Sequence, residues 1–323
     1  MAHEMFVMKN GAKRNITQLI GNLSWSSNMD ALGMEMSFDY ASSGNTEVLE
    51  LGDHLILGNN GKVINYFVIV NESVSGRFSK SYTCFDYGWY LNKNETVIQF
   101  KKVSASKAIE KLLDKFKVKH KIVNIPTAIT KIYKDMTVSD IMNDILDQAS
   151  QELKTKFRLE MNKDMVTVSK LMDLVINPQI RLSSNSPLFP VTSAISNPSK
   201  SRSIEEMKNK VFVVSNDEKS TKIIAESSDQ AGITKYGLMT EVVSVEAKNA
   251  SQARNIAKNT LSDLNRIKGE VSVELLGHDD IRAGRILMLN EPVTNIKGLH
   301  LIKSANHSVN LGIHRVTVQL EAI

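Results

Sequence analysis

The first hundred residues alternate between apolar and polar positions with the period of two that is typical of β-strands. One face of a predicted strand carries Met34, Met36, Phe38 and Tyr40. Runs at 54–57 and 62–70 flank Asn60-Gly61, a pair that favours the tight turn of a hairpin. Segments 77–85 and 96–101 extend the predicted sheet. A series of short strands closes most easily as a small barrel or sandwich, so we predict a first β-rich domain over residues 1–102.

The apolar period then changes to three and four residues, which predicts helices. Ser104 stands at the N-cap of the first helix, and Thr137 begins the second with a capping-box-like Thr-Val-Ser-Asp sequence. The predicted inner faces are Ala105, Ala108, Ile109, Leu112, Leu113 and Phe116 in the first helix, and Val138, Ile141, Met142, Ile145, Leu146 and Ala149 in the second. A hairpin at 156–161 and 165–170 completes a predicted α+β insertion domain over residues 103–182.

Residues 183–203 contain eight serines and three of the six prolines, a composition typical of turns and loops. We predict an exposed connector there that packs on a neighbour or orders on assembly. The following residues, 204–323, return to a strand pattern and predict a second β-rich domain. Its predicted strands are 210–215, 238–245, 270–276, 285–289, 300–305 and 314–320, and Asn249 would cap an inserted helix over 249–266.

Composition narrows the class of protein. The formal charge is +5, but the excess is spread thinly, and the densest basic run, from Lys111 to Lys121, favours a solvated helix face over a nucleic-acid site. The longest apolar runs fall far short of the ~20 residues that span a bilayer. The first nine residues do not resemble a signal peptide, so we expect the chain to be made and kept in the cytosol, or to leave it as part of something larger.

Candidate chemistry is sparse. Cys84 is the only cysteine, and its strand context favours a small buried hydrophobe over a catalytic thiol. No phosphate-binding loop, dinucleotide fingerprint, nucleophile elbow or zinc-type spacing occurs. The adjacent pair Glu205-Glu206 is expected to diverge.

Two histidine-containing groups are candidate metal or catalytic sites. His278-Asp279-Asp280 lies between strands, and His300, His307 and His314 recur every seven residues. The alternative is a metal or acid/base site for the triplet and a shared metal site for the three histidines, but turn and strand roles are favoured. We therefore predict no catalytic, cofactor-binding or metal-binding residue, and no enzyme.

Five segments, taken in order, resemble a known family. They are Leu23-Ser-Trp-Ser26 with residues 32–38; Leu51-Gly-Asp53 with Gly61-Lys62 and Phe67-Val68; Thr83-Cys-Phe-Asp86 with residues 90–94; Ser203 to Val211; and the C-terminal series of residues 253–257, Gly277, Arg282-Ala-Gly284, Gly298 and Ala305-Asn-His307. Their order and spacing resemble those of contractile-tail hub proteins, the late control protein D family, and most closely its XkdQ-like members from phages and phage-tail-like bacteriocins. The resemblance is weakest from Lys119 to Asn197.

The resemblance implies a structural function. Such hubs carry two tube-like β-barrel domains per chain, which the resemblance assigns to residues 1–102 and 204–323. They form homotrimers that act as a symmetry adapter, joining the tail tube protein to the central spike protein and to other baseplate and tape-measure components. Neither a membrane nor a specific nucleic acid is an expected partner. The expected location is the bacterial cytoplasm during assembly and then the baseplate of the released particle. The alternatives are a baseplate-associated cell-wall hydrolase, which needs converging carboxylates or a metal, and a basic nucleic-acid-binding barrel, whose binding weakens steeply with salt.

Overall fold

The computed structural model describes residues 3–42, 48–75, 79–183, 185–215, 222–245 and 250–323. Residues 77 and 78 of one predicted strand, Ser184 of the predicted connector, and the predicted cap Asn249 lie outside the described residues. The chain forms two compact units, one of residues 1–199 with 271–323, and one of residues 200–270.

The N-terminal third is built from seven described strands and a short helix. The strands are β1 (His3–Lys9), β2 (Ala12–Asn15), β3 (Ile20–Asn28), β4 (Met34–Ala41), β5 (His54–Asn59), β6 (Lys62–Ser75) and β7 (Ser79–Asp86), a 3-10 turn covers Thr17–Leu19, and α1 is Gly88–Lys93. The predicted hairpin is confirmed: β5 pairs with β6, and Asn60 and Gly61 both have positive φ, as its tight turn requires. Strands β1 and β3 and helix α1 were not predicted.

The middle region has its own apolar core. Its elements are β8 (Glu95–Ser104), α2 (Ala105–Lys115), β9 (Lys119–Ile122), β10 (Ala128–Thr137), α3 (Val138–Leu153), β11 (Phe157–Asn162), β12 (Met165–Lys170) and a 3-10 turn at Leu171–Asp173. Both predicted helices are confirmed, and their inner faces pack into one cluster with Phe100 and Tyr133. Thr137 caps α3 by accepting a hydrogen bond from the backbone N–H of Asp140, whereas the side chain of Ser104 makes no such bond.

The predicted connector contains regular structure. After β13 (Val175–Ile176) and β14 (Gln179–Ile180) come β15 (Phe189–Pro190), a 3-10 turn at Val191–Ser193 and β16 (Ser196–Ser203). Val191 is fully buried, although β16 is almost entirely exposed. The segment is therefore partly folded into the protein and is more than a loop.

The unit of residues 200–270 contains a small sheet and two helices. Its elements are β17 (Lys210–Ser215), β18 (Ile223–Ser228), α4 (Gln230–Tyr236), β19 (Thr240–Val245) and α5 (Ala250–Leu264). Strand β17 lies in the centre, antiparallel to β18 and parallel to β19. Ala253 and Ala257 of α5 pack with Val213 and Ala225 of the sheet.

One large sheet joins the two ends of the chain. The remaining strands are β20 (Lys268–Leu276), β21 (Ile286–Glu291), β22 (Ile296–Asn310) and β23 (Ile313–Ala322). The strand order is β16-β20-β23-β22-β3-β4-β7-β6-β5-β1-β2, with β21 beside β22 and β13 beside β21. Each half of this sheet covers a separate apolar cluster, one made from residues 5–84 and one from residues 180–320.

The mainly β class with an α+β region is confirmed, but two separate closed barrels are not. Among the described residues the strand pairings close no ring, and the two halves share one sheet. The reason is the length of β22, 15 residues where a strand over 300–305 was predicted. Its second half extends beyond β21 and pairs with β3, from Ser304 opposite Asn28 to Val309 opposite Leu23. The domain boundaries proposed from the sequence remain a prediction.

Candidate functional site

A buried cluster of histidines and one aspartate lies where the two halves of the large sheet meet. It is formed by His3 on β1, His307 on β22, His314 on β23 and Asp279 in the turn between β20 and β21. The side chains of His3 and His314 are each 2% exposed, and that of Asp279 is 26% exposed. Trp25 of β3 closes one side, with its ring stacked on His307 at a centroid separation of 4.7 Å.

Two series of hydrogen bonds connect the side chains of the cluster. Asp279 Oδ1 lies 3.0 Å from His3 Nε2, and Asp279 Oδ2 accepts a bond of 2.8 Å from the amide of Asn59. His307 connects His314 to the backbone. Its Nδ1 lies 2.9 Å from His314 Nε2, and its Nε2 lies 2.6 Å from the carbonyl oxygen of Ile281. The ligand-type atoms of His3, Asp279 and His314 all lie within 4.8 Å of one another, so these three residues could hold a metal ion.

Burial sets the charge states in this cluster. Burial lowers the pKa of His307 to about 4 and, together with the neighbouring imidazoles, lowers the pKa of His314 to about 3. Burial acts to raise the pKa of Asp279, but hydrogen bonds from His3 and Asn59 hold it below its usual value. At neutral pH the cluster therefore presents an anionic carboxylate beside the neutral imidazoles of His307 and His314, and these are the forms in which such groups bind metal ions.

A second buried cluster consists of three arginines around one glutamate. Glu160 on β11 accepts two bonds from Arg285, at 2.8 and 3.1 Å, and one from Arg282 at 3.0 Å. Arg158 donates to the carbonyl oxygens of Asn28 and Met29, at 3.2 and 3.0 Å. Although burial acts to raise it, the arginine charges hold the pKa of Glu160 below its usual value. This network ties the middle region to both halves of the large sheet.

A cleft of about 930 Å³ lies beside both clusters. Asp279 reaches it from the histidine cluster, and Arg282 and Arg285 reach it from the arginine cluster. His278, Lys62 and Arg181 also line it. The histidine cluster is therefore buried but has a route to solvent past Asp279.

The structure separates the residues that the sequence grouped. Within the His278-Asp279-Asp280 triplet only Asp279 bonds to the cluster, through His3 and Asn59, whereas His278 Nδ1 lies 3.7 Å from the exposed Asp280. His307 and His314 meet, but His300 lies apart and bonds to the carbonyl oxygen of Gly298 through Nδ1. His3 was missed, because no pattern in the sequence links position 3 to position 279.

The other candidates take ordinary roles. Cys84 is fully buried in β7, as predicted, and burial raises the pKa of its thiol. In the basic run, Lys115 donates to Thr96, and Lys119 pairs with Asp164 at 2.6 Å. Glu206 pairs with Lys268 within the smaller unit. In the part of the chain that the structure describes, no helix has the length and apolar character needed to cross a bilayer.

Solved structures place this fold among phage tail proteins. The 43 kDa tail protein of prophage MuSo2 from Shewanella oneidensis superposes with a TM-score of 0.72 over 99% of this chain and 98% of its own, at 10% identity. The c3393 protein of E. coli, described as a type VI secretion component that resembles T4 tail proteins gp27 and gp5, gives a TM-score of 0.53 over 94% of this chain and 74% of its own, at 9% identity. At these identities the likeness shows a shared fold.

The amino-acid sequence shows which family the chain belongs to. The model of the YqbQ-like family matches residues 23–321, so the chain belongs to that family. The uncharacterized protein YqbQ of Bacillus subtilis (strain 168) is 23% identical over 275 residues, which cover 83% of this chain and 81% of YqbQ. The predicted resemblance to tail hub proteins is confirmed at the level of family and fold.

Proposed function

We propose that this protein is a structural hub of a contractile tail baseplate. The observation that carries the proposal is the superposition on a prophage tail protein over nearly the whole of both chains. The described likeness of c3393 to gp27 and gp5 points to the hub among the several kinds of tail protein. In this role the chain would act by shape and interface area, and no turnover is needed.

The hub would assemble as a homotrimeric ring, a symmetry adapter between the sixfold tail tube and the threefold central spike. The two halves of the large sheet support this proposal, because each half surrounds its own apolar cluster. Two similar tube-like modules per chain would give six modules in a ring of three, matching the symmetry of a tube. Other baseplate and tape-measure proteins would bind around this ring.

The four-part division at 1–102, 103–182, 183–203 and 204–323 belongs to the same proposal. The first apolar cluster draws on residues 5–84 and so lies within the first part, whereas the middle cluster already includes Leu91 and Phe100, ahead of the proposed boundary at 102. The single continuous sheet then acts as the frame that holds the two modules in a fixed relation.

Imaging of assembled particles tests the proposal. Electron cryo-microscopy of purified tails should place three copies of this chain at the spike end of the tube. Antibody labelling of the chain should mark the same end in intact particles. Labelling along the tube or on peripheral fibres, or a copy number that is not a multiple of three, would contradict the hub assignment.

A further inference from the structure

The histidine cluster has hydrogen-bond partners that fix the position of each proton. His307 Nε2 lies 2.6 Å from the carbonyl oxygen of Ile281, which only accepts, so this nitrogen carries the hydrogen. In a neutral ring, His307 Nδ1 then has a lone pair and accepts from His314 Nε2 at 2.9 Å. His314 therefore carries its hydrogen on Nε2, and its Nδ1 has an unshared lone pair.

That lone pair meets another electron-rich atom in a buried place. His314 Nδ1 is fully buried without a hydrogen-bond partner, and Asp279 Oδ1 lies 3.9 Å away. A buried nitrogen acceptor that faces a carboxylate with no hydrogen between them is unfavourable, because the nitrogen does not regain the interaction that it had in water. A cation between them would satisfy both.

We propose that His3, Asp279 and His314 form a binding site for a divalent transition-metal ion of the zinc type. Two imidazole nitrogens and one carboxylate oxygen are a donor set that zinc accepts, together with a fourth ligand such as water. Around a tetrahedral zinc ion the ligand atoms are about 3.3 Å apart. The observed separations of 3.0 Å, from His3 Nε2 to Asp279 Oδ1, and 3.9 Å, from His314 Nδ1 to the same oxygen, bracket that distance.

The surroundings suit such an ion. His307 orients the His314 ring through its bond to Nε2, and Asn59 orients the Asp279 carboxylate through Oδ2, so the ligand atoms face each other. His3 would bind through Nε2 as the tautomer with its hydrogen on Nδ1. Because Asp279 lines the cleft, the ion can enter and a water molecule can complete its coordination from that side.

The bound ion would join distant parts of the larger unit. His3 is on β1, near one edge of the large sheet, whereas Asp279 and His314 belong to its C-terminal half. A metal bridge between them would stabilise the folded unit in proportion to its occupancy, since the unfolded chain lacks the assembled site. This inference is independent of the proposed hub function.

Zinc binding to the full chain, purified without a histidine tag, tests the proposal. The protein is stripped with a chelator, equilibrated with buffered Zn²⁺, and its bound metal is measured by mass spectrometry, with thermal unfolding recorded in parallel. We expect about one zinc per chain and a rise in the unfolding temperature. Co²⁺ in place of Zn²⁺ should give the intense visible absorption of a tetrahedral site.

Variants assign the ion to these residues. His3→Ala, Asp279→Asn and His314→Ala should each lose the stoichiometric zinc, and Asn59→Ala should weaken binding by about tenfold. His300→Ala is the matched control, because His300 is equally buried but lies outside the cluster, and it should bind zinc as the unaltered chain does. If His314→Ala does not fold, His3→Ala and Asp279→Asn decide the question. No zinc in the unaltered chain, or equal zinc in these variants, would overturn the proposal.

Discussion

Asp86 shows how a single residue stabilises the first of the proposed modules from within. Its carboxylate is fully buried and accepts bonds from the backbone N–H of Met34, at 2.8 Å, and of Gly88, at 2.9 Å. A Cβ atom on Gly33 would lie 2.4 Å from the carboxylate, so only glycine fits beside it. Two segments that carried the family resemblance, 32–38 and 83–86, therefore meet at this contact.

The pH dependence of the free energy of unfolding should reflect the ionisation of Asp86. Burial raises the pKa of Asp86 to about 7, from 3.8 in the unfolded chain. Between pH ~4 and pH ~7 the Asp86 carboxyl is protonated in the folded state but ionised in the unfolded chain, so raising the pH favours unfolding. The contribution of Asp86 to stability is therefore complete below pH ~4 and is lost as the pH rises through ~7. Relative to Asp86→Asn, the free energy of unfolding of the unaltered chain should fall by roughly 4 kcal/mol across this window. Urea unfolding at several pH values measures the difference, and parallel curves for the two proteins would contradict it.

Gly284 combines a special backbone with a tight contact. Its φ is +84°, as its predicted turn requires, and a Cβ atom there would lie 2.6 Å from Cδ of Arg158. Gly298 has a φ of +95° but nothing within 4 Å, which makes Gly298→Ala a matched control. We expect Gly298→Ala to cost about 1 kcal/mol and Gly284→Ala roughly 3 kcal/mol, and Gly284→Val to impair folding. Tryptophan fluorescence during urea unfolding reports the larger unit, because Trp25 and Trp89 both lie in it. Equal losses of unfolding free energy in the two alanine variants would show that the Arg158 side chain moves aside without cost.

The triplet at 278–280 should respond unevenly. His278→Ala and Asp280→Ala remove partly or largely exposed side chains and should cost less than about 0.5 kcal/mol. Asp279→Ala leaves His3 and Asn59 without their partner and should cost about 1–3 kcal/mol. A passive adapter should still assemble in all three cases, which is measured by counting intact baseplates in electron micrographs and assaying killing or infection separately. Normal particles that cannot kill or infect would indicate a chemical role and contradict the adapter.

At the scale of elements, local patterns were sufficient for two hairpins and for the longer helices. The β5–β6 turn, the β11–β12 hairpin and helices α2 and α3 all depend on residues within a few positions of each other, and the structure has each of them. Strand β11 shows where the local pattern was incomplete. Leu159 and Met161 face the middle core as expected, but the opposite face, with Arg158 and Glu160, is also buried. Glu160 pairs with arginines, and Arg158 bonds to the carbonyl oxygens of Asn28 and Met29, all more than a hundred residues away, which no local pattern reveals.

Glu160 should therefore contribute strongly to stability. Glu160→Ala would leave Arg282 and Arg285 buried without their partner, and we expect a loss of about 3–5 kcal/mol. The control is Asp164→Ala, which breaks the exposed pair with Lys119 and should cost less than about 1 kcal/mol. Urea unfolding of both variants gives the comparison. Similar small losses would show that solvent reaches the arginines and replaces the carboxylate.

At the scale of the whole molecule, the sequence predicted the mainly β class but not how the ends of the chain meet. Pairing of β3 with β22 joins residues near 25 to residues near 307, and the contact of His3 with Asp279 depends on it. Such pairing is decided by the shape of the complete sheet and not by any segment of it. The family resemblance supplied the hub hypothesis, whereas the three metal-type ligands became visible only in three dimensions.

The oligomeric state is the prediction that belongs to this scale. A ring closes only when each subunit presents two different surfaces that match, and in a hub the tube and spike hold those surfaces in place. We therefore expect the isolated chain to be monomeric or weakly associated, and to form a closed ring of three when it is co-expressed with its tube and spike proteins. Light scattering coupled to size-exclusion chromatography measures both states, and the isolated chain over a range of concentrations serves as the control. A stable isolated dimer with twofold symmetry would count strongly against the ring, because a twofold interface pairs identical surfaces, whereas a ring of three joins two different ones.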